Sequence, residues 1–178
     1  MNKKYIFTGE TKEINDMKLR RIKRLSDGVI GGWIEKEANL SQDSGSAWVF
    51  DKAQVYGEAR VYGEAQVCGE AWVYGAAQVC GEAQVCGEAQ VCGAAQVYGE
   101  ARVCGEARVS KIGECINIIN LCYNITVTPQ NAVVGCQIKT HDEWLKVTRI
   151  EAVKLGLPSN KFNTFKKLFM ILFKEVKS

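Results

Sequence analysis

Eleven copies of one six-residue unit run through the middle of this 178-residue chain without an insertion. Alanine opens each copy, from Ala47 to Ala107, and valine follows two residues later, from Val49 to Val109. From Val55 to Val103 a glycine stands two residues beyond the valine, so the unit reads A-x-V-x-G-x. A hexapeptide period is the mark of a β-helix, in which each repeat supplies one short strand and a corner. Strand alternation sends Ala and Val inward and the two residues flanking Val outward. Small Ala beside branched Val suits a narrow interior, and Gly supplies the corner conformation that other residues resist.

The exceptions to the repeat carry a second period. The residue after Gly is Glu in most copies but alanine at Ala76 and Ala94, eighteen residues apart. The outward position after Val steps likewise through Phe50, Cys68, Cys86, Cys104 and Cys122. Three hexapeptides per coil stack each series on one edge or face, whereas two per coil scatter both. The expected fold is therefore mainly β: a parallel β-helix with three strands per coil, of the left-handed type that hexapeptide repeats usually build. It carries an N-terminal β-rich cap (1–46), the β-helix itself (47–135) and a C-terminal helical tail (136–178).

Each face then becomes a ladder of side chains about 4.8 Å apart. One ladder carries Trp48, Phe50, Cys68, Cys86, Arg102 and Cys104; another carries Trp72, Tyr74 and Arg108; the third carries Arg60, Tyr62, Cys80 and Tyr98. Two corners hold glutamate columns, Glu70, Glu88, Glu106 and Glu64, Glu82, Glu100. Like charges so stacked repel by about 1 kcal/mol per exposed pair. They read as a solvated edge, with a cation site as the alternative. The corner of Ala76 and Ala94 lacks that repulsion and is the natural approach for another subunit. The cysteine column reads as small apolar filler on a face fit to pack against a partner, with Cys68 and Cys86 as contacts. Stacked thiols come within reach of one another, but parallel side chains on consecutive coils seldom meet disulfide geometry.

Beyond Val109 the six-step phase survives through Cys115, Leu121, Val127 and Val133, with Ile119 and Ile125 at alanine positions. This predicts a further coil through NIINLCYNITVTP before Pro129 ends it. Thr140 and Glu143 form a capping box for a helix through Trp144, Val147 and Ile150, stopped by Gly156 and Pro158. A second helix from about Ser159 places Phe162, Phe165, Phe169, Leu172 and Phe173 on one side, with lysines around them. It is expected to cover the solenoid's end or pack in an oligomer, through Phe165 and Phe169, more than to lie on a membrane. In the cap, GETKE and SDG read as turns. Arg20, Arg21, Lys23 and Arg24 form the densest basic cluster, either a solvated edge strand or an anion contact.

The net charge of +3 is unevenly spread, with basic ends and an acidic shaft, too weak a contrast for a nucleic-acid polymer as partner. MNKKYIFTGETKE has no apolar stretch of signal-peptide length, and the apolar run Leu168 to Phe173 is too short to span a bilayer. Eight cysteines in such a chain suggest reduced thiols in a cytoplasm.

KYIFTGETKE at the start, the basic LRRIKRL strand, GGWIEKEANLS before the first coil, and ITVTPQNAVVGC followed by THDEW carry a resemblance that covers nearly the whole chain. Together they resemble a family of hexapeptide-repeat proteins common in phages and prophages, whose members carry acetyltransferase-like or polymer-forming labels. The resemblance implies a left-handed β-helix in the cytoplasm of a bacterial host, and no particular reaction. Three functions compete. An acyl-coenzyme A-dependent acyltransferase needs a histidine base on or beside a coil, yet His141 is the sole histidine and lies past the repeats. A non-catalytic binder needs shape and charge. Arg20, Arg21, Arg24, Trp72, Tyr74, Arg102 and Arg108 would grip a small anionic, nucleotide-like signal at the interfaces of a homo-oligomer, with a trimer favoured, and so counter host defence. A structural module would inhibit a host protein through its flat faces. Binding is the expected function; no catalytic residues, metal ligands or cofactors are assigned.

Overall fold

The computed structural model describes residues 3–43, 45–118 and 124–176. Strands β1 (Tyr5–Ile14) and β2 (Met17–Arg24) form an antiparallel hairpin, and β3 (Ile30–Ile34) pairs antiparallel with β2. The hairpin turns at Asn15 and Asp16, whose φ of 48° and 62° suits the two-residue turns that match strand twist. GETKE, expected as a turn, lies inside β1. There Gly9, at φ 96°, accompanies a register shift between Phe7 and Thr11.

The repeats then supply β4–β14, two residues each, from Trp48–Val49 to Arg108–Val109 in six-residue steps. Pairing is parallel and joins every third strand: Gln66 to Gln84 and Gln84 to Arg102 on one face, Trp72 to Gln90 on another, Gln78 to Gln96 on the third. The result is a parallel β-solenoid. Its backbone groups bond from coil to coil, as in Trp48 N–H to Ala65 O at 2.9 Å and Phe50 N–H to Val67 O at 2.8 Å. Among the inward-facing positions of the repeat, from Ala47 to Val109, no alanine or valine is more than 1% exposed. Burying a valine fully contributes roughly 1.5–3 kcal/mol, so the repeat turns its inward alanine and valine side chains into core.

The cap closes one end. Trp33 and Ile34 of β3 pair in parallel with Gln54 and Val55, so the cap extends one face of the solenoid. Asn39, fully buried, donates to Gly57 O and Ala59 O at 3.0 and 2.8 Å. Tyr5 donates to Leu40 O at 2.9 Å and meets Trp48 edge-on.

The other end departs from expectation. No further coil follows through 117–129 among the described residues; Ile119, Leu121 and Cys122 lie outside them. Instead β15 (Ile116–Ile118), β16 (Ile125–Val127), β17 (Asn131–Val134) and β18 (Gln137–Thr140) form an antiparallel meander, so the solenoid strands stop well before residue 135. The physical reason is visible at the last coil. Thr126 Oγ1 accepts from Arg102 N–H at 2.9 Å and Gln130 Oε1 from Arg108 N–H at 2.7 Å. Side chains thus take the hydrogen bonds that another coil would have taken, which blunts the edge.

Helix α1 (His141–Lys146) starts at the expected capping box: Glu143 N–H donates to Thr140 Oγ1 and Thr140 N–H to Glu143 Oε2. It is shorter than expected. A second box, Thr148 with Glu151, opens a separate helix α2 (Arg149–Lys154), and Ile150 is 72% exposed rather than packed. α3 (Phe162–Glu175) buries Phe165, Phe169, Leu172 and Phe173. These join Trp144, Val127 and Val134 in a second core, distinct from that of the solenoid. Among the described residues, no helix is long and apolar enough to cross a membrane.

Candidate functional site

The outward residues of the three faces differ, and the face that continues into the cap is the aromatic one. Before the inward residue it reads Trp33, Gln54, Trp72, Gln90, Arg108, and after it Tyr56, Tyr74, Cys92, Ser110. Two strand steps, about 10 Å, separate Trp33 from Trp72 and Trp72 from Arg108. Tyr56 and Tyr74 stack with centroids 5.2 Å apart, nearly parallel. Lys12 and Arg21 from the hairpin sit 4.7 and 5.2 Å from the Trp33 ring. Gln54, between the two tryptophans, is buried, while Trp72 and Tyr74 are half-buried and Arg108 is exposed. A hydrogen bond to the Cys92 thiol, aided by burial, pushes the Tyr74 hydroxyl up to about 12, so it is a neutral donor at physiological pH.

Of the residues expected to bind ligand, this face gathers Arg21, Trp72, Tyr74 and Arg108. The others are engaged elsewhere. Arg20 donates through Nε and Nη2 to Glu35 O at 3.1 and 2.7 Å and lies 3.8 Å over the Phe7 ring. Arg24 forms a two-pronged pair with Asp27, Nε to Oδ1 at 2.9 Å and Nη2 to Oδ2 at 2.7 Å, and covers the buried Trp48. Arg102 stands on a different face and donates to Gly135 O at 3.2 Å. Arg20 and Arg24 therefore brace the cap, and Arg102 ties the last coils to the meander, because each guanidinium meets backbone or carboxylate oxygens there.

Lys12 and Trp33 belong to the aromatic face but fall outside the sequence reading. Trp33 precedes Gln54 by twenty-one residues, so no eighteen-residue step aligns them. The outward–inward–outward pattern of Trp33, Ile34 and Glu35 was the available signal.

The oligomer contacts divide similarly. Ala76 and Ala94 are exposed on one corner. Phe165 and Phe169 are not available: both are buried within the chain, where Phe169 packs against Trp144 and Phe173. Cys68 is a half-buried thiol. Cys86 is bonded to Cys104, contrary to the reading of the column as reduced filler. Consecutive coils bring their α-carbons to 4.7 Å, within the span a disulfide bridges.

Two clefts among the described residues that mix charges of both signs lie beside the cap and in the helical segment. One, of about 430 Å³ beside the cap, is lined by Lys4, Arg24, Asp27, Gln42, Asp43 and Trp48. Its cations are occupied: Lys4 donates to Gly45 O and Ala47 O, and burial lowers its ammonium. The other, of about 400 Å³, lies between α1 and α2 and mixes Lys139, Lys146 and Lys154 with Glu143 and Glu151. Among the described residues, no three His, Cys, Asp or Glu side chains converge to hold a metal ion.

Comparison with known proteins agrees with this architecture at the level of the repeat. No curated protein matches the chain significantly. A family model described as the YdcK β-solenoid repeat matches residues 65–81, the stretch that runs through Trp72 and Tyr74, so what the chain shares with known proteins is the solenoid repeat.

Proposed function

We propose that the protein acts by binding, and that its site is the aromatic face that runs from the cap to Arg108. One observation carries this reading: Trp72 and Tyr74 offer ring surfaces on a single sheet, with Trp33 carrying Lys12 and Arg21 at one end and exposed Arg108 at the other. A planar base gains about 1–3 kcal/mol by stacking on such a ring, and a guanidinium recognises phosphate through paired hydrogen bonds. The ligand class is therefore a small anionic nucleotide-like molecule. The resemblance to phage hexapeptide-repeat proteins supports a role in sequestering a host defence signal, in a bacterial cytoplasm, by a left-handed, trimeric solenoid.

His141 supports a non-catalytic reading over the acyltransferase one. Its ring is 4% exposed, donates from Nε2 to Thr128 O at 2.8 Å and stacks on Phe173 at 4.0 Å, so it is held away from any coil surface. The third reading, a protein-interaction module, is favoured by the exposed Ala76–Ala94 corner and by Tyr98, 61% exposed on the face next to it. Isothermal titration against cyclic nucleotides and adenosine-diphosphate-ribose signals tests the proposal. Saturable heat with at least one of them is expected. Silence across the panel, with host proteins retained from lysate, transfers the function to the interaction module.

A further inference from the structure

The column Cys68, Cys86, Cys104 holds three sulfurs on three consecutive coils, and only two of them are bonded. Val67, Val85 and Val103 pair in register, and the N–H groups of Cys68 and Cys86 donate to Val85 O and Val103 O, each at 2.9 Å. The Cys68 backbone therefore stands one strand step, about 4.8 Å, from that of Cys86, on the side opposite Cys104. This spacing matches the 4.7 Å between the α-carbons of the bonded pair. Thiolates attack a disulfide along the extension of its sulfur–sulfur bond, and a column running along the solenoid axis supplies that direction.

The geometry points to a thiol–disulfide exchange site in which the Cys68 thiolate attacks Cys86 Sγ, the Cys86–Cys104 bond breaks, and a Cys68–Cys86 bond forms. The bonding pair of the broken bond leaves on Cys104 Sγ, which takes up a proton, while Cys68 has given one to solvent. One disulfide and one thiol remain, so the step needs no oxidant or reductant. The two ends of the column differ in accessibility. Cys104 is 2% exposed beneath the meander, where Asn131 Nδ2 donates to its carbonyl at 3.1 Å, whereas Cys68 and Cys86 are half-buried. The exchange thus moves the disulfide from the covered end of the ladder toward solvent and leaves a buried thiol behind. Burial and the nearby Asp51 raise the Cys68 thiol above its ordinary range, with Arg102 opposing, so exchange accelerates about tenfold per pH unit below that value.

The glutamate corners make the test specific. Cleavage after Glu64, Glu70, Glu82, Glu88, Glu100 and Glu106 releases Cys68 and Cys86 each in the peptide AQVCGE and Cys104 in ARVCGE. The oxidised protein is held at pH 8 overnight without added thiol, trapped with N-ethylmaleimide at pH 6.5, and digested without reduction. The wild type is expected to yield both AQVCGE–ARVCGE and AQVCGE–AQVCGE, and Cys68→Ser only the former. Cys104→Ser treated with oxidised glutathione is expected to yield AQVCGE–AQVCGE. A wild type that yields no AQVCGE–AQVCGE overturns the exchange, whether or not the Cys104 variant folds. Persistence of that peptide in Cys68→Ser also overturns it, because the link then joins two chains.

Discussion

Gly75 and Gly99 occupy equivalent corners, with φ of 70° and 64°, yet they differ in what lies beyond them. A methyl group on Gly75 would sit 2.9 Å from the backbone nitrogen of Gly93 on the next coil, whereas one on Gly99 meets only Asn117 Nδ2 at 3.9 Å. The left-handed conformation alone costs an alanine about 1–2 kcal/mol. Gly99→Ala should lose that amount, and Gly75→Ala clearly more, because backbone cannot yield as a side chain does. Chemical denaturation of the two variants measures the difference, and equal losses would contradict the close stacking of corners. Which residues point outward on each coil was legible from alternation alone. The engagement of Arg20, Arg24 and Arg102 was not. Glu35 and Gly135 lie in loops whose path follows from tertiary contacts, not from a period, and Asp27, three residues from Arg24, pairs with it because the SDG turn brings it back.

At the scale of elements, the two capping boxes make the helical segment acid-sensitive. Glu143 and Glu151 each accept from a backbone N–H and a hydroxyl, of Thr140 and Thr148, and this holds both carboxyls below their ordinary range. A carboxyl so depressed contributes stability above its unfolded value, and the contribution disappears as pH falls through the folded one. Helical circular dichroism should therefore decline below about pH 4 while the solenoid's β signal persists. Replacing both glutamates by glutamine should flatten that decline, and an unchanged acid profile would contradict the role of the boxes. The first box was legible because Thr140 and Glu143 precede an apolar run. The second, Thr148 with Glu151, was obscured by the continuing spacing of Trp144, Val147 and Ile150. The end of the solenoid was misread for a related reason. Val127 keeps the six-step phase and is buried, but it packs in the second core, so phase alone does not distinguish a coil from a meander.

For the whole molecule, a solenoid closed by a β cap at one end and the β15–β18 meander at the other has three long faces, and those faces are unequal. One carries a disulfide and a third thiol, one carries exposed tyrosine, and one carries the tryptophans between basic ends. The regular repeat builds the frame, and the proposed binding role rests on its variable outward positions, at Trp72, Tyr74 and Arg108. The most direct test is native mass spectrometry of the wild type and Trp72→Ala, each purified from bacterial cells without denaturation. The wild type is predicted to carry a nucleotide-sized adduct that Trp72→Ala lacks. A bare wild type, or the same adduct on both proteins, would contradict the assignment of this face as the binding site.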